Sequence, residues 1–314
     1  MSAPCGICGS MEGAPWLDHG QWRYRRCAEC AAVWLDPLPA DDWAESFYDL
    51  GYFAGGGRGG YRDYLGDEEP HRINARARVA LARDFGATPP AAWLDVGCAA
   101  GFTLDEARKA GFIVLGVELS AWARGVARER LGLKVVPTLR EARRELPQQA
   151  DVVSFFQVLE HLNDPLAALR EAHACLRPGG LLIVETWDRG SLVARLLGRY
   201  WHQITPPSVL WLLNCRNLEH ALERAGFRPQ RIVRGRKRVS VGWVLGILAD
   251  RAPGILGPAL KALGRSGLRS LGFSYGLGDL VFVLASAVGG ERAAHDSPNP
   301  LRRLRAAGDT DCSN

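Results

Sequence analysis

Four cysteines near the N-terminus have the residue type and the spacing of a metal site. Cys5 and Cys8 form one Cys-x-x-Cys pair, and Cys27 and Cys30 form a second pair after 18 intervening residues. Two such pairs supply four thiolates that suit tetrahedral zinc. The alternatives are a redox dithiol or four free buried cysteines, and the paired arrangement favours the metal. Because four cysteine ligands leave no open position for a substrate, the sequence predicts a structural Zn²⁺.

A second group of residues has the pattern of a ligand-binding turn between a strand and a helix. An apolar run ends at Gly97, and a turn of small residues leads to Gly101, where a helix is predicted to begin. Small residues allow a ligand to approach the backbone at a helix N-terminus. A dinucleotide fingerprint would require glycine where this chain has Ala99 and Phe102, so the turn disfavours NAD.

An acidic residue follows the glycine turn at the distance expected for a ribose contact. Glu118 ends the next apolar run, about 20 positions beyond the turn. Its carboxylate can accept hydrogen bonds from both hydroxyls of a ribose. The alternative for Glu118 alone is a charge at a helix N-terminus, beside Ser120 as the capping residue.

The elements that must position these residues alternate between strand and helix. Strands are predicted at 93–97, 112–118, 133–136, 151–157, 180–186, 227–234 and 279–288. Helices are predicted at 71–85, 102–110, 121–131, 139–145, 165–176 and 217–225. This alternation is typical of a parallel sheet that is covered by helices on both faces, and we therefore predict a doubly wound, Rossmann-like α/β fold.

Composition excludes several other classes of protein. Of the 314 residues, 47% are hydrophobic and 23% are charged, which disfavours a wholly disordered, collagen-like or coiled-coil chain. The net charge of +5 is too small to indicate a nucleic-acid partner. The chain shows no leader pattern and no apolar run of about 20 residues, so a cytoplasmic location is expected, with at most a peripheral membrane contact.

Taken together, the glycine turn and the acidic second strand resemble class I S-adenosylmethionine-dependent methyltransferases. The resemblance continues at 154–165 and 176–186, which are similar to the fourth strand with its loop and to the turn into the fifth strand of that family. It covers about residues 91–235. It implies S-adenosyl-L-methionine as the methyl donor and a seven-stranded sheet with one antiparallel strand, here at 279–288.

The N-terminal part has a narrower resemblance. The segments 24–30 and 33–37, together with Tyr48, Tyr52 and Phe53, resemble a bacterial subgroup with an N-terminal zinc-binding segment of four cysteines, which includes sugar and glycan-cluster methyltransferases. The resemblance implies a small-molecule acceptor, a sugar or a nucleotide-sugar or glycan precursor, methylated on oxygen or carbon. The alternatives are an RNA base methyltransferase, a quinone- or lipid-type O-methyltransferase, or a non-catalytic donor-binding protein.

The resemblance also assigns a donor site residue by residue. The predicted donor-binding residues are Asp95, Gly97, Cys98, Gly101, Glu118, Leu119, Gln157 and Val158. Asp95, Gly97 and Gly101 should line the methionine end of the donor. Glu118 should hold the ribose, and Leu119 should flank the adenine. Gln157 and Val158 follow the fourth strand, at the edge of the sheet where ligands bind in open α/β folds.

His161 is the predicted general base, because an imidazole titrates near neutrality and this one lies on the loop that leaves the fourth strand. A loop-fixing role is the alternative for His161. His202 and Tyr52 are secondary candidates for the base. Glu160 and His161 also resemble a Glu-His pair of some quinone O-methyltransferases, which raises a metal-assisted variant, although no further ligands are evident.

These assignments divide the chain into four parts. We predict a zinc-ribbon module at 1–40, an aromatic and helical linker and lid at 41–90, a methyltransferase core at 91–288, and a disordered tail at 289–314. Within the core, an apolar insertion at 236–278 carries scattered basic residues. Packing of this insertion on its own domain is favoured, and the alternatives are a peripheral membrane patch, a substrate lid or a dimer face. The oligomeric state is left open.

Overall fold

The structure is a computed structural model that describes residues 4–40, 42–55, 60–146, 148–251, 254, 256–263 and 272–289. The predicted disordered tail, from residue 290 onward, lies outside the described residues. Parts of the apolar insertion, at 252–253, 255 and 264–271, also lie outside them.

Strands and helices alternate through most of the described chain. The strands are β1 (Gly13–His19), β2 (Trp22–Cys27), β3 (Val33–Leu35), β4 (Ala92–Val96), β5 (Ile113–Val117), β6 (Val135–Val136), β7 (Ala150–Phe156), β8 (Leu176–Trp187), β9 (Trp211–Leu212), β10 (Phe227–Arg234), β11 (Lys237–Ser240), β12 (Gly272–Tyr275) and β13 (Leu280–Ala287). The helices are α1 (Trp43–Phe47), α2 (Leu50–Ala54), α3 (Glu68–Asp84), α4 (Phe102–Lys109), α5 (Ala121–Leu131), α6 (Leu139–Glu145), α7 (Pro165–Cys175), α8 (Leu192–Leu197), α9 (Cys215–Arg224), α10 (Val241–Arg251) and α11 (Leu256–Leu263). Short 3₁₀ turns lie at Leu159–His161 and Gly198–Tyr200.

Seven strands form the central sheet, in the order β10-β13-β8-β7-β4-β5-β6. Strand β13 runs antiparallel to both of its neighbours, and the other pairings are parallel. The central strands are apolar and buried because helices cover both faces of the sheet, as expected for parallel strands. The predicted Rossmann-like sheet with one antiparallel strand is therefore confirmed.

Side-chain caps fix where several helices begin. Ser120 accepts a hydrogen bond from the amide of Ala123 at the start of α5, and Thr138 accepts one from Glu141 at the start of α6. Asp164 caps α7 in the same way, with Pro165 in the first turn. Each cap satisfies a helix-end amide that would otherwise lack a partner, and each contributes about 1 kcal/mol. Helices α5 and α6 begin within four residues of the ends of β5 and β6, whereas a loop with the Leu159–His161 turn separates β7 from α7.

Helix α3 lies within 41–90, the segment predicted as an aromatic and helical linker and lid, and it is bound to α4 of the core. Arg72 on α3 forms ion pairs of 2.7 Å with Asp105 and Glu106 on α4. The carboxylate of Asp105 is buried, with 3% of its side chain exposed. This network fixes α3 beside the glycine turn that precedes α4.

The N-terminal ribbon shares a sheet with the core. Strands β1, β2 and β3 form an antiparallel meander, and β3 continues it onto β9. The rings of Trp34 and Trp211 stack at 6.0 Å across this junction, and both are almost fully buried. The hydroxyl of Tyr24 donates to the carbonyl of Val209 at 2.8 Å. The ribbon is thus tied to the segment that follows β8.

The insertion begins and ends as an antiparallel pair, β11 with β12. Asn74 on α3 exchanges two hydrogen bonds with the backbone of Arg238, at 2.9 and 2.7 Å, which docks β11 on the core. Among the described residues, no helix has both the length and the apolar character that a membrane span requires.

Candidate active site

A cavity of about 430 Å³ lies at the carboxyl ends of β4, β5 and β7. This edge of a doubly wound sheet is where ligands bind. Other walls come from α3, from β11 and from a group of aromatic side chains near α2. Seven of the eight predicted donor-binding residues line the cavity: Asp95, Gly97, Cys98, Glu118, Leu119, Gln157 and Val158.

The glycine turn has two glycines that serve different purposes. Gly97 has a φ of +70°, and a Cβ there would lie 2.5 Å from a methyl of Val158, so only glycine fits in this wall of the cavity. Gly101 has a φ of +84°, and its Cβ would meet Leu133 at 2.5 Å and Ala127 at 3.2 Å. Gly101 is not among the residues that line the cavity, so the cavity geometry does not support its predicted donor contact. The residue instead permits close packing of the turn against α5.

Glu118 connects the glycine turn to the end of β5. One carboxylate oxygen accepts from the amide of Ala99 and the other from the amide of Ser120, both at 2.8 Å. Burial raises the pKa of Glu118 above its ordinary value, although these amides act in the opposite direction. Each oxygen keeps a second lone pair, so the carboxylate can still accept from ribose hydroxyls.

Asp95 lies in the floor of the cavity at the end of β4. It accepts a hydrogen bond of 2.6 Å from the hydroxyl of Ser154, which in turn accepts from the indole of Trp93. Burial raises the pKa of Asp95 to about 7. A cation bound beside it would favour the carboxylate form, so the position suits a positively charged donor.

His161 lines the cavity and is oriented by the backbone. Its Nδ1 lies 2.6 Å from the carbonyl oxygen of Ser208, which can only accept, so Nδ1 carries the proton and Nε2 is the acceptor nitrogen. Burial lowers the pKa of His161 below its ordinary value, although the bond to Ser208 acts in the opposite direction. The ring is therefore neutral at pH 7, and its geometry suits proton acceptance. The same bond also holds the loop, so both predicted roles agree with the contacts.

The two secondary candidates for the base are less suitable. His202 does not line the cavity but packs against Trp187 at 4.6 Å and lies 3.8 Å from Asp279, so its contacts do not support the predicted role. Tyr52 lines the cavity. Burial raises the pKa of Tyr52 well above its ordinary value, so a phenolate there is strongly disfavoured.

A buried chain of polar groups, which was not predicted from the sequence, reaches the cavity through Arg78, Gln157 and Lys237. Arg78 on α3 donates to both carboxylate oxygens of Glu185, at 2.6 and 2.9 Å. The amide nitrogen of Gln157 also donates to Glu185, at 2.5 Å. Lys237 donates to the amide oxygen of Gln157 at 2.8 Å. The sequence does contain a signal for Glu185, because this acidic residue interrupts an otherwise apolar strand. It contains none for Lys237, which lies in a short basic run that is typical of a protein surface.

Glu160 is buried beside this chain and near the side chain of Thr186, and its carboxylate oxygens have no hydrogen bond of normal geometry among the described residues. Burial raises the pKa of Glu160 to about 7. Within the described part of the chain, the group of side chains close enough together to hold a metal ion is the cysteine cluster, and Glu160 and His161 do not belong to it. The metal-assisted variant therefore gains no support from the ligand geometry.

The four N-terminal cysteines do converge. Their sulfur atoms all lie within 4.8 Å of one another, with 3.6 Å between Cys5 and Cys30 and 3.5 Å between Cys8 and Cys27. Zn–S bonds of about 2.3 Å in a tetrahedron place sulfurs about 3.8 Å apart, whereas a disulfide needs about 2.05 Å. The donor set and its dimensions fit a structural zinc ion, remote from the cavity.

Comparison with known proteins identifies the family. The family profile described as a methyltransferase domain matches residues 69–231, which is more than half of the chain. The chain is a class I S-adenosylmethionine-dependent methyltransferase. The predictions of an enzyme and of S-adenosylmethionine as the donor are thereby confirmed. The match begins on α3, within the segment assigned to the linker.

Curated relatives of this methyltransferase are O-methyltransferases. The ubiquinone biosynthesis O-methyltransferase of Ruegeria pomeroyi is 35% identical over 168 residues, which cover 46% of this chain and 67% of the relative. The Pseudomonas paraeruginosa enzyme of the same name is 32% identical over 152 residues, which cover 45% of this chain and 62% of the relative. A crystal structure from Bacillus halodurans, assigned as a methyltransferase, covers 68% of this chain and 99% of its own at 14% identity, with a TM-score of 0.50, and supports the fold alone.

These relatives correct the predicted acceptor. We expected a sugar or a glycan precursor from the N-terminal segment. The curated relatives are instead named for ubiquinone biosynthesis, so the sugar acceptor is contradicted. The quinone-type O-methyltransferase, which the sequence analysis held as an alternative, agrees better with them.

Proposed function

We propose that this methyltransferase transfers a methyl group from S-adenosylmethionine to a phenolic hydroxyl of a quinone precursor or a related aromatic acceptor. The observation that carries the proposal is a buried neutral imidazole, His161, at a cavity with aromatic walls beside the glycine turn. The names of the curated relatives support the acceptor class.

The donor half of the cavity is formed by the glycine turn and the end of β5. Asp95 and Gly97 are proposed to contact the methionine end, and Glu118 the ribose. The donor supplies a methyl group that is already activated on a sulfonium. The protein therefore has to align the acceptor, exclude water and remove the hydroxyl proton.

The acceptor half of the cavity has aromatic walls. Tyr48 and Tyr52 meet edge to face with ring centres 4.8 Å apart, and Tyr61 and Tyr64 do the same. All four side chains line the cavity. Burial raises the pKa of each hydroxyl, so these groups stay neutral. A flat aromatic acceptor can pack against such rings in edge-to-face or offset-stacked contacts.

The same proposal includes a structural zinc ion held by Cys5, Cys8, Cys27 and Cys30. The sulfur separations support it. Membrane contact through 236–278, the oligomeric state and the absence of a nucleic-acid partner stay predictions.

The test of the reaction is an acceptor panel combined with one substitution. Catechol-type quinone precursors and nucleotide sugars should be offered with methyl-labelled S-adenosylmethionine, and we expect label only in the phenols. His161→Ala should keep its affinity for S-adenosylmethionine in calorimetry, while turnover falls by about 10²–10⁴-fold, the usual contribution of a general base.

His202→Ala is the matched control, because this histidine lies outside the cavity and should leave turnover near that of the parent. Near-normal turnover in His161→Ala would place the base elsewhere. Labelling of nucleotide sugars, with none of the phenols labelled, would overturn the proposed acceptor class.

A further inference from the structure

Lys237 lines the cavity, and the proposed reaction described above gives it no role. It begins β11, beyond the region that the family profile matches, and its side chain lines the cavity. We infer that Lys237 is a catalytic residue, whose ammonium group contacts the acceptor oxygen and stabilises the negative charge that develops there as His161 takes the proton. The inference rests on the proposed function.

Hydrogen bonds to the core fix the backbone of β11 next to Lys237 and so orient its side chain. The next residue, Arg238, is bonded through both backbone polar groups to Asn74 on α3. Across the pair with β12, Lys237 lies opposite Tyr275. A charged group that is fixed in place before the substrate binds stabilises a developing charge without costly reorganisation.

The donors and acceptors around Gln157 determine which atom of its side chain faces Lys237. Burial opposes ionisation of Glu185, but Arg78 outweighs it, so the pKa of Glu185 is below its ordinary value and its oxygens act as acceptors. The amide nitrogen of Gln157 must therefore face Glu185, which leaves its oxygen toward Lys237. An ammonium has three protons to donate, and this bond uses one.

Gln157 has a backbone conformation that residues other than glycine rarely adopt. Its φ is +60°, directly after β7. Its backbone amide donates to the carbonyl of Glu185 at 2.8 Å, and its side chain bridges Glu185 and Lys237. Strained residues persist where the surroundings fix them, and they concentrate at functional sites. The strain here presents an amide oxygen to Lys237 at the edge where the acceptor must bind.

The charges around Lys237 favour an anionic partner. The positive charge of Arg78 is paired with Glu185, whereas the hydrogen bond from Lys237 reaches a neutral amide. His71 and His161 also face it, and burial keeps both rings neutral at pH 7. The carboxylates of Glu185 and Glu160 act on Lys237 through space, so an oxygen that becomes negative in the cavity would be an anionic partner in direct contact with it.

Lys237 changes charge near neutral pH. Burial lowers the pKa of Lys237 to about 8, and Arg78 acts in the same direction, whereas Glu185 and Glu160 oppose it. The ammonium form therefore dominates at pH 7 and is lost above about pH 8. His161 has the opposite requirement, because it accepts a proton only above its own pKa.

The step conserves atoms and charge. His161 takes the hydroxyl proton on Nε2, the acceptor oxygen bonds to the methyl carbon, and the carbon–sulfur bond breaks with its electron pair left on sulfur. Lys237 keeps its proton throughout, and the proton on His161 then passes to solvent.

The first test is the pH dependence of turnover with a phenolic acceptor. The parent enzyme should show a bell-shaped profile, with an acid limb from His161 and an alkaline limb near pH 8 from Lys237. Lys237→Met should lower turnover by about 10²–10³-fold and lose the alkaline limb, as for removal of one oxyanion donor. Lys237→Arg should retain more turnover than the Met variant and move the alkaline limb to higher pH. Arg236→Met, an exposed neighbour, is the matched control.

The second test does not need turnover. 4-Nitrocatechol, whose phenolate absorbs visible light, should bind to the parent enzyme with S-adenosylhomocysteine present and shift toward its phenolate spectrum. Lys237→Met should bind it mainly in the protonated form, while S-adenosylhomocysteine affinity and the circular dichroism spectrum stay those of the parent.

The outcomes separate the two proposals. Methylation of phenols with an unchanged pH profile and probe spectrum in Lys237→Met would overturn the role of Lys237 and leave the proposed function intact. A Lys237-dependent phenolate spectrum in a protein that methylates no phenol would overturn the proposed function and support the anion-binding role. A probe that does not bind to the parent enzyme counts against the inference.

Discussion

At the scale of single residues, Glu118 has a structural role, and we propose that it also binds the donor. Both of its oxygens are held by backbone amides, one in the glycine turn and one at the start of α5. The carboxylate therefore sets the shape of the donor site before any donor is present. A ribose bound here would meet an acceptor that is already oriented, which reduces the cost of binding.

We predict that Glu118→Ala weakens S-adenosylmethionine binding by about 10–100-fold, because hydrogen bonds to a charged acceptor are worth about 1.5–3 kcal/mol. Calorimetric titration measures this change. Glu129→Ala, at an exposed position on α5, should bind like the parent. Unchanged affinity in Glu118→Ala would mean that the ribose lies elsewhere.

At the scale of elements, the turn between β4 and α4 decides whether the donor cavity exists. Gly97 combines a positive φ with a wall contact to Val158, so a side chain there would both strain the backbone and fill the site. Gly132, which ends α5, has a φ of +61° and no atom within 4 Å of the Cβ position. Both glycines therefore have a positive φ, but only at Gly97 would an added Cβ meet a neighbouring side chain.

Gly97→Ala should therefore cost about 2–4 kcal/mol of stability, from strain and overpacking together, against about 1 kcal/mol for Gly132→Ala. Urea unfolding measures both values. Added S-adenosylhomocysteine should stabilise Gly132→Ala as it does the parent but not Gly97→Ala. Equal stabilisation of the two variants would show that the turn does not contact the donor.

At the scale of the whole molecule, hydrogen bonds join the N-terminal ribbon to the segment that orients His161. Strand β3 pairs with β9, and Tyr24 binds the carbonyl of Val209, next to the residue whose carbonyl orients His161. On the core side, Arg224 of α9 donates to the carbonyl of Ile7, and Asn217 donates to that of Cys30. Loss of order in the cysteine cluster should therefore disturb the segment that orients His161.

We predict one zinc ion per chain, and that Cys27→Ser loses the metal, melts at lower temperature and turns over more slowly, because metal binding and folding are coupled at such sites. Elemental analysis, thermal unfolding and the phenol assay measure the three effects. Cys175→Ser changes a buried cysteine outside the cluster and should keep its zinc. The absence of zinc in protein prepared without chelator would refute the site, and full turnover in zinc-free Cys27→Ser would refute the coupling.

Much of the donor half could be predicted from the sequence because its signals are local. The glycine turn, Glu118 and His161 lie at fixed distances from predicted strand ends, and strand ends of a parallel sheet meet at one edge. Gly101 and His202 do not line the cavity, because local spacing does not tell whether a residue faces a cavity or a neighbouring element. The acceptor class was also predicted wrongly. The segments 24–30 and 33–37 that motivated a sugar lie outside the cavity, and the aromatic residues of the same resemblance, which do line it, do not specify a sugar.

By itself, the sequence determined the paired cysteines, the alternation of strands and helices, and the glycine turn, because each depends on residues close together in the chain. Only the tertiary structure brought Arg78 to Glu185, 107 positions away, and Lys237 to Gln157, 80 positions away. It also decided the pairing of β3 with β9. Hydrogen bonds and charge burial between distant residues depend on how elements pack, and no local pattern of hydrophobicity specifies that packing.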